Sequence, residues 1–464
     1  MSSSNNTFFN SSLLEQDFDA PLLLSEVIGA LSYALDLTEG QPPGHSIRCC
    51  WIGMHIGEAL GLTQQNQWNL YYTLLLKDAG CSSNAARLYE LYGGDDRQTK
   101  QDFKLVDNES FKQISEFVLK HTGVGEGFLD KTKRLLNLAV HGEELATELI
   151  ETRCERGADI AIRLGFTEEI ADGIRYLDEH WNGNGKPYRL AGNEIPLTSQ
   201  IALLAQVADV FFQLGGKVSS LNEVVSRSHT WFNPELVKIY QGLESNFNFW
   251  NKLAQENMQQ EVQLLEPSSF VMTVSDKRLD DITAAFGMIV DSKSSYTFNH
   301  SSRVALYTDK ISEKLGFSDI HRKHLKRGAM LHDIGKLGVS NSILDKPGKL
   351  TNEEREMIEK HAYYTEQILS HLSPFSTLAK ISGAHHERLD GKGYPYGLSA
   401  EEITLDTRII TTADIFDAIT AKRPYRDAVP VEKTIKIMES ECGTAIDEVV
   451  LEALKSKIPE LDLD

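Results

Sequence analysis

The chain has 464 residues, 41% apolar and 25% charged, with a formal net charge of −20 at pH 7. That length exceeds what one hydrophobic core usually serves and predicts two domains. The acidic balance argues against a DNA or RNA partner, whose footprint would be basic, yet it leaves room for a small anionic ligand wherever metal ions and arginines invert the local field.

From the N-terminus, Met1-Ser2-Ser3-Ser4-Asn5-Asn6 lacks the basic and apolar regions of a signal peptide. Residues 1–20 are rich in Ser and Asn and read as a disordered tail. From Pro21 onward the pattern is helical nearly throughout, and the expected fold class is all-α. Leu279, Ile282, Phe286, Ile289 and Val290 form one helical stripe. Thr351 to Glu354 and Ser399 to Glu402 have the composition of capping boxes, the first starting the helix that carries His361. No uninterrupted apolar run approaches the roughly 18 residues that span a bilayer, so no membrane partner is expected. Cys49, Cys50, Cys81, Cys154 and Cys442 show no CxxC spacing, which fits reduced thiols and a cytoplasmic location.

The chain repeats itself. His45-Ser46-Ile47-Arg48 parallels His300-Ser301-Ser302-Arg303, and Lys77-Asp78-Ala79-Gly80 parallels His332-Asp333-Ile334-Gly335 at the same spacing of 32 residues. Glu179 to Pro187 parallels Glu387 to Pro395, and Val207-Ala208-Asp209-Val210-Phe211 parallels Thr412-Ala413-Asp414-Ile415-Phe416. The first copy carries an insertion between Asp78 and Cys154. Two tandem domains are expected, over residues 21–250 and 271–464, joined by a Gln-rich helical linker over 251–270.

In the second copy, His332-Asp333 is followed by His361, His385-His386 and Asp414. Imidazole and carboxylate hold borderline divalent metals at neutral pH, and one His-Asp pair is too few to close a site, so the recurrence points to a metal centre. The motifs His332 to Lys336, His385 to Pro395 and Ala413 to Ala418 resemble, in order, those of the HD-GYP family of bacterial cyclic-dinucleotide phosphodiesterases.

That resemblance implies metal ligands at His300, His332, Asp333, His361, His385, His386 and Asp414, with Asp333 bridging two metals. A glutamate that gives some members a third metal is replaced here by Tyr296. The nitrogen and oxygen donor set suits two iron or manganese ions, with zinc also compatible. It further implies that a hydroxide held between the metals breaks a 3′–5′ phosphodiester bond of cyclic di-GMP or 3′,3′-cyclic GMP-AMP. Lys336 would stabilise charge on the phosphate, Arg423 and Arg426 would grip it, and Lys392 and Tyr394 of the Gly391 to Pro395 loop are candidate substrate contacts.

The first copy lacks this set. Lys77 replaces the histidine of the pair, Cys154 falls opposite His361, Leu177-Asp178 falls opposite His385-His386, and Val218 falls opposite Arg423, whereas His45, Asp78 and Asp209 are kept. It is expected to be non-catalytic, either a decayed duplicate that stabilises its neighbour or a module for regulation, homodimerisation or contact with a protein partner. Two other readings of the chain are a non-hydrolysing cyclic-dinucleotide adaptor and a general HD-type nucleotide phosphohydrolase.

Overall fold

The computed structural model describes residues 21–124, 127–294, 299–346, 348–421 and 428–461. The expected tail lies outside them. Among the described residues there is no β-strand, only isolated bridges such as Leu23 to Thr273, and the all-α expectation holds.

The first half contains α1 (Leu24–Thr38), α2 (His45–Ala59), α3 (Gln64–Leu76), α4 (Ala85–Tyr92), α5 (Asp96–Phe103), α6 (Phe111–His121), α7 (Phe128–Arg163), α8 (Glu168–Arg175), α9 (Leu197–Ser226), α10 (Pro234–Gly242), α11 (Phe247–Leu253) and α12 (Gln259–Gln263). The second contains α13 (Asp276–Asp291), α14 (His300–Lys314), α15 (Asp319–Leu331), α16 (Asn341–Leu344), α17 (Asn352–Ser370), α18 (Ser376–Gly383), α19 (Leu405–Thr420), α20 (Val431–Ser440) and α21 (Glu448–Lys457). The apolar stripe of α13 is buried as its spacing requires. Thr351 and Glu354 form the expected capping box of α17. The Ser399 box starts no helix: Glu402 accepts from the Ser399 amide and hydroxyl across a turn, and α19 begins later, capped by Thr404.

The repeat reappears in hydrogen bonds. Asp36 accepts from the Ser46 hydroxyl at 2.7 Å, as Asp291 does from Ser301 at 2.7 Å. Burial pushes both carboxyls up to about 6. Gly80 lies so close to the Arg153 carbonyl that a Cβ would sit 1.9 Å from it, and Gly335 stands in the same relation to the His361 carbonyl, at 2.0 Å. The insertion forms α4 to α6 and the start of α7.

The two halves share one continuous apolar cluster. Packing of α1 on the short 3-10 turn Ile334–Gly338 and on α17 joins them, with Tyr33 stacked on His371 at 4.0 Å. The amino end of α5 is buried against the second half: Asp96 pairs with Lys293 at 3.1 Å and accepts from the Asn341 amide at 2.7 Å and the Ser340 hydroxyl at 2.9 Å. Arg97 donates to the carbonyls of Leu37 at 2.9 Å and Gly338 at 2.5 Å.

The stretch expected as a helical linker holds the end of α11, the short helix α12 and a 3-10 turn over Ser268–Phe270, with Leu253, Met258 and Val262 buried. Among the described residues one helix, α9, has the length and hydropathy to cross a bilayer, which the sequence reading missed. Of its apolar window, 56% is buried in the protein, and Gly215 and Gly216 break its helical geometry.

Candidate metal centre

Five elements converge on one buried point in the second half. His300 opens α14, His332 caps the C-terminus of α15 with Asp333 directly after it, and His361 sits within α17. His385 and His386 follow α18, and Asp414 lies on α19.

Asp333 is at the middle. Its Oδ2 lies 3.3 Å from His300 Nε2 and 3.4 Å from His332 Nε2. Its Oδ1 lies 3.4 Å from His361 Nε2 and 3.6 Å from His385 Nε2. Asp414 Oδ1 is 3.3 Å from His300 Nε2 and 3.9 Å from His332 Nε2, and His386 groups with Asp333, His361 and His385. One carboxylate thus divides its oxygens between two sets of imidazoles, giving two adjacent subsites.

The tautomers follow from the outer hydrogen bonds. His332, His361 and His385 each place Nδ1 at 2.6–2.7 Å from the backbone carbonyl three residues earlier, at Ala329, Ile358 and Ser382. A carbonyl only accepts, so Nδ1 carries the proton and the Nε2 lone pair points inward. His300 Nδ1 faces Asp417 Oδ2 at 2.7 Å, and Arg303 Nε holds the other Asp417 oxygen at 2.6 Å. Asp417 is a supporting residue that the sequence reading quoted within a motif but gave no role. Its spacing one helical turn after Asp414 was the available signal.

The centre has the chemistry of a cation site. His332 Nε2 and Asp333 Oδ1 are buried without any hydrogen-bond partner, a costly arrangement that coordination to a cation would relieve. Burial brings His332 down to about 4 and His361 to about 3, leaving neutral imidazole donors. Burial would raise the Asp333 carboxyl, but Lys336 beside it and the surrounding histidines hold it well below the usual range. Burial would likewise lower His300, and Asp333, Asp414 and Asp417 raise it well above its ordinary value.

Lys336 contacts Asp333 directly. Tyr394 is half-buried, its ring 4.8 Å from that of His386. Lys392 is exposed at the loop tip. Gly393 allows the loop to close, since a Cβ there would meet the Arg388 nitrogen at 2.4 Å. Arg423, Arg426 and Tyr296 lie outside the described residues.

The first copy keeps the supports and loses the donors. His45 Nδ1 faces Asp209 Oδ2 at 2.7 Å and Arg48 Nε holds Asp209 Oδ1 at 2.7 Å, the arrangement of His300, Asp417 and Arg303. Asp209 therefore answers to Asp417 and not to Asp414. The same register puts Gln206 in the place of Asp414. The register set by Gly80 also puts Arg153, not Cys154, opposite His361. Lys77 pairs with Asp78, and Arg153 pairs with Asp178. Lys104 of the insertion lies 3.7 Å from Asp78 and 3.0 Å from Glu39.

Helices that converge imidazoles and carboxylates around a His-Asp pair define an HD-type helical domain. A family model described as HD domain matches residues 125–228 and 285–450. The chain is 52% identical over 435 residues to the 3′3′-cGAMP-specific phosphodiesterase 3 of Vibrio cholerae, covering 94% of each chain. It is 38% identical over 177 residues to a cyclic di-GMP phosphodiesterase of Thermotoga maritima, covering 38% of this chain and 48% of that one. A crystal structure of a cyclic GMP-AMP specific phosphodiesterase of Vibrio cholerae matches with a TM-score of 0.67 at 47% identity, over 96% of this chain and 99% of the other. The chain belongs to the HD domain family, in its HD-GYP branch.

Proposed function

We propose that the chain hydrolyses a 3′–5′ phosphodiester bond of a cyclic dinucleotide, 3′,3′-cyclic GMP-AMP in preference to cyclic di-GMP, giving a linear product. The observation that carries this reading is Asp333, whose two oxygens face two separate imidazole sets. The preference for 3′,3′-cyclic GMP-AMP is supported by the likeness to the Vibrio cholerae relative across nearly the whole chain.

In this reading His300, His332, Asp333, His361, His385, His386 and Asp414 hold two divalent transition metals, iron or manganese by their mixed nitrogen and oxygen donors. Such ions supply a water-derived nucleophile near neutral pH and polarise a phosphoryl oxygen. The chain's own groups do the rest. Asp417 and the helical carbonyls hold the Nδ1 side of His300, His332, His361 and His385 and so turn their Nε2 atoms toward the centre. Lys336 holds Asp333 ionised and offers a cation to charge developing on the phosphate. Arg423 and Arg426 grip the phosphates, and Tyr394 and Lys392 border the cleft. Residues 271–464 form the catalytic domain, 251–270 the connection and 21–250 a non-catalytic, regulatory domain. The free thiols fit a cytoplasmic setting.

The test is to incubate the metal-loaded full chain with each cyclic dinucleotide and separate the products by chromatography. Faster conversion of 3′,3′-cyclic GMP-AMP to a linear dinucleotide is expected. Binding without turnover would favour an adaptor, and turnover of mononucleotides alone would favour a general phosphohydrolase.

A further inference from the structure

We propose that the first copy carries a binding site for a small amphipathic anion, with an apolar body and one anionic end, and that α5 links its occupancy to the metal centre. The site is a cavity between the insertion and α7, with an empty volume of about 790 Å³ including its open mouth. Leu88, Leu91, Phe103, Phe117, Leu145 and Ile150 form its apolar walls. The charged groups lining it are Lys100, Lys104, Arg153 and Glu39; behind the wall Arg153 is paired with Asp178, and Lys104 also reaches Asp78.

These charges lie where the first copy lost its donors. Arg153 occupies the position of His361, and Lys104 reaches Asp78, the counterpart of Asp333. Lys104 is buried and its ammonium, though ion-paired, makes no aligned hydrogen bond. A buried cation with unused donors at the base of an apolar cavity selects a negative end group on an apolar body. Aliphatic and aromatic walls suit a hydrocarbon better than a sugar-phosphate.

The route to the second copy is short. Thr99, Lys100 and Phe103 of α5 line the cavity. At the other end of α5, Asp96 holds Lys293, Ser340 and Asn341, and Arg97 holds Gly338. Lys336 lies in the turn that ends at Gly338. A ligand that shifts α5 therefore displaces the segment carrying Lys336. The link to the metal centre rests on the hydrolytic reading above, whereas the binding site does not.

The test uses the metal-loaded full chain with decanoate, decanol and decyltrimethylammonium, each below its micellar range, followed by calorimetry and by hydrogen exchange. Decanoate should bind at one site per chain, decanol about tenfold more weakly, the ratio that one charge-assisted hydrogen bond supplies, and the cation not at all. Gly142→Trp should abolish binding without unfolding. Gly142 lines the cavity within α7, a Cβ there meets nothing within 4 Å, and removing a helical glycine favours the helix. Absent decanoate binding, equal binding of the cation, or binding retained by Gly142→Trp would each overturn the site. Decanoate should also change exchange protection over residues 334–341 in the parent chain and leave it unchanged in Gly142→Trp. An unaltered segment in the parent chain would overturn the link while leaving the hydrolytic reading intact.

Discussion

The two copies place the same histidine, aspartate and arginine in the same hydrogen bonds and give them opposite surroundings. His300 faces Asp333 and Asp414 and is pushed well above its ordinary value. Burial, then Lys77, brings His45 down to about 4. The second copy concentrates carboxylate and imidazole lone pairs that call for cations from outside. The first supplies cations from its own chain, Lys77, Lys104 and Arg153, where the other would hold metal. Loss of a metal site in a buried setting thus requires replacement of its charge, because a bare buried carboxylate is strongly destabilising.

The central aspartates should show that contrast most strongly. Asp333→Ala is expected to lose metal and turnover together, by at least about 10³-fold in kcat/KM, more than one preorganised donor alone contributes. Asp78→Ala should keep metal and turnover and instead cost about 3–5 kcal/mol of stability, the scale of leaving a buried ion-pair partner uncompensated. Elemental analysis, kinetics and denaturant unfolding of both variants check this, and metal loss in Asp78→Ala would break the comparison.

Next in size is Arg423→Ala, expected to leave metal content intact and to weaken transition-state stabilisation by about 2–4 kcal/mol. Arg423→Lys should recover only part, since an ammonium lacks the bidentate fork. Unchanged kcat/KM on both cyclic dinucleotides would assign the phosphate grip elsewhere. Asp417→Asn should cost about 10–100-fold in metal affinity, the usual effect of a group that orients a ligand, while Asp209→Asn should leave affinity unaltered. Competition with a chelator measures both. The smallest effect is expected from His45→Ala, with kcat/KM close to that of the parent chain, whereas His300→Ala should abolish turnover. Equal losses would mean that the first copy takes part in chemistry.

Much of the site was legible because the imidazoles and carboxylates that meet there sit in short motifs at fixed spacing. The errors arose where one helical turn looks like another. Asp414 and Asp417 share a helix face, so the fragment around Asp209 matched the wrong one of the two. The Arg153 register was hidden because a long helix has no internal landmark, and only the close approach of Gly80 to a carbonyl sets it. The Ser399 box has the right composition but closes a turn. Nothing in the local pattern announced that Asp96 of the insertion meets Lys293, since pairing across 197 residues leaves no periodic trace. That contact also means that residues 271–464 in isolation would expose a buried lysine, and the full chain is the proper object for activity measurements.

The outer hydrogen bonds of the imidazoles bear on what mutation can reach. His332, His361 and His385 have their proton positions set by main-chain carbonyls, which no substitution elsewhere deletes. His300 alone among these four depends on a side chain, Asp417, itself held by Arg303. Variation can therefore retune the donor strength of His300 in single steps, through two codons, while its three neighbours are shielded from that kind of drift. A selection for altered metal preference that spared the ligands themselves should return to Asp417 and Arg303 repeatedly.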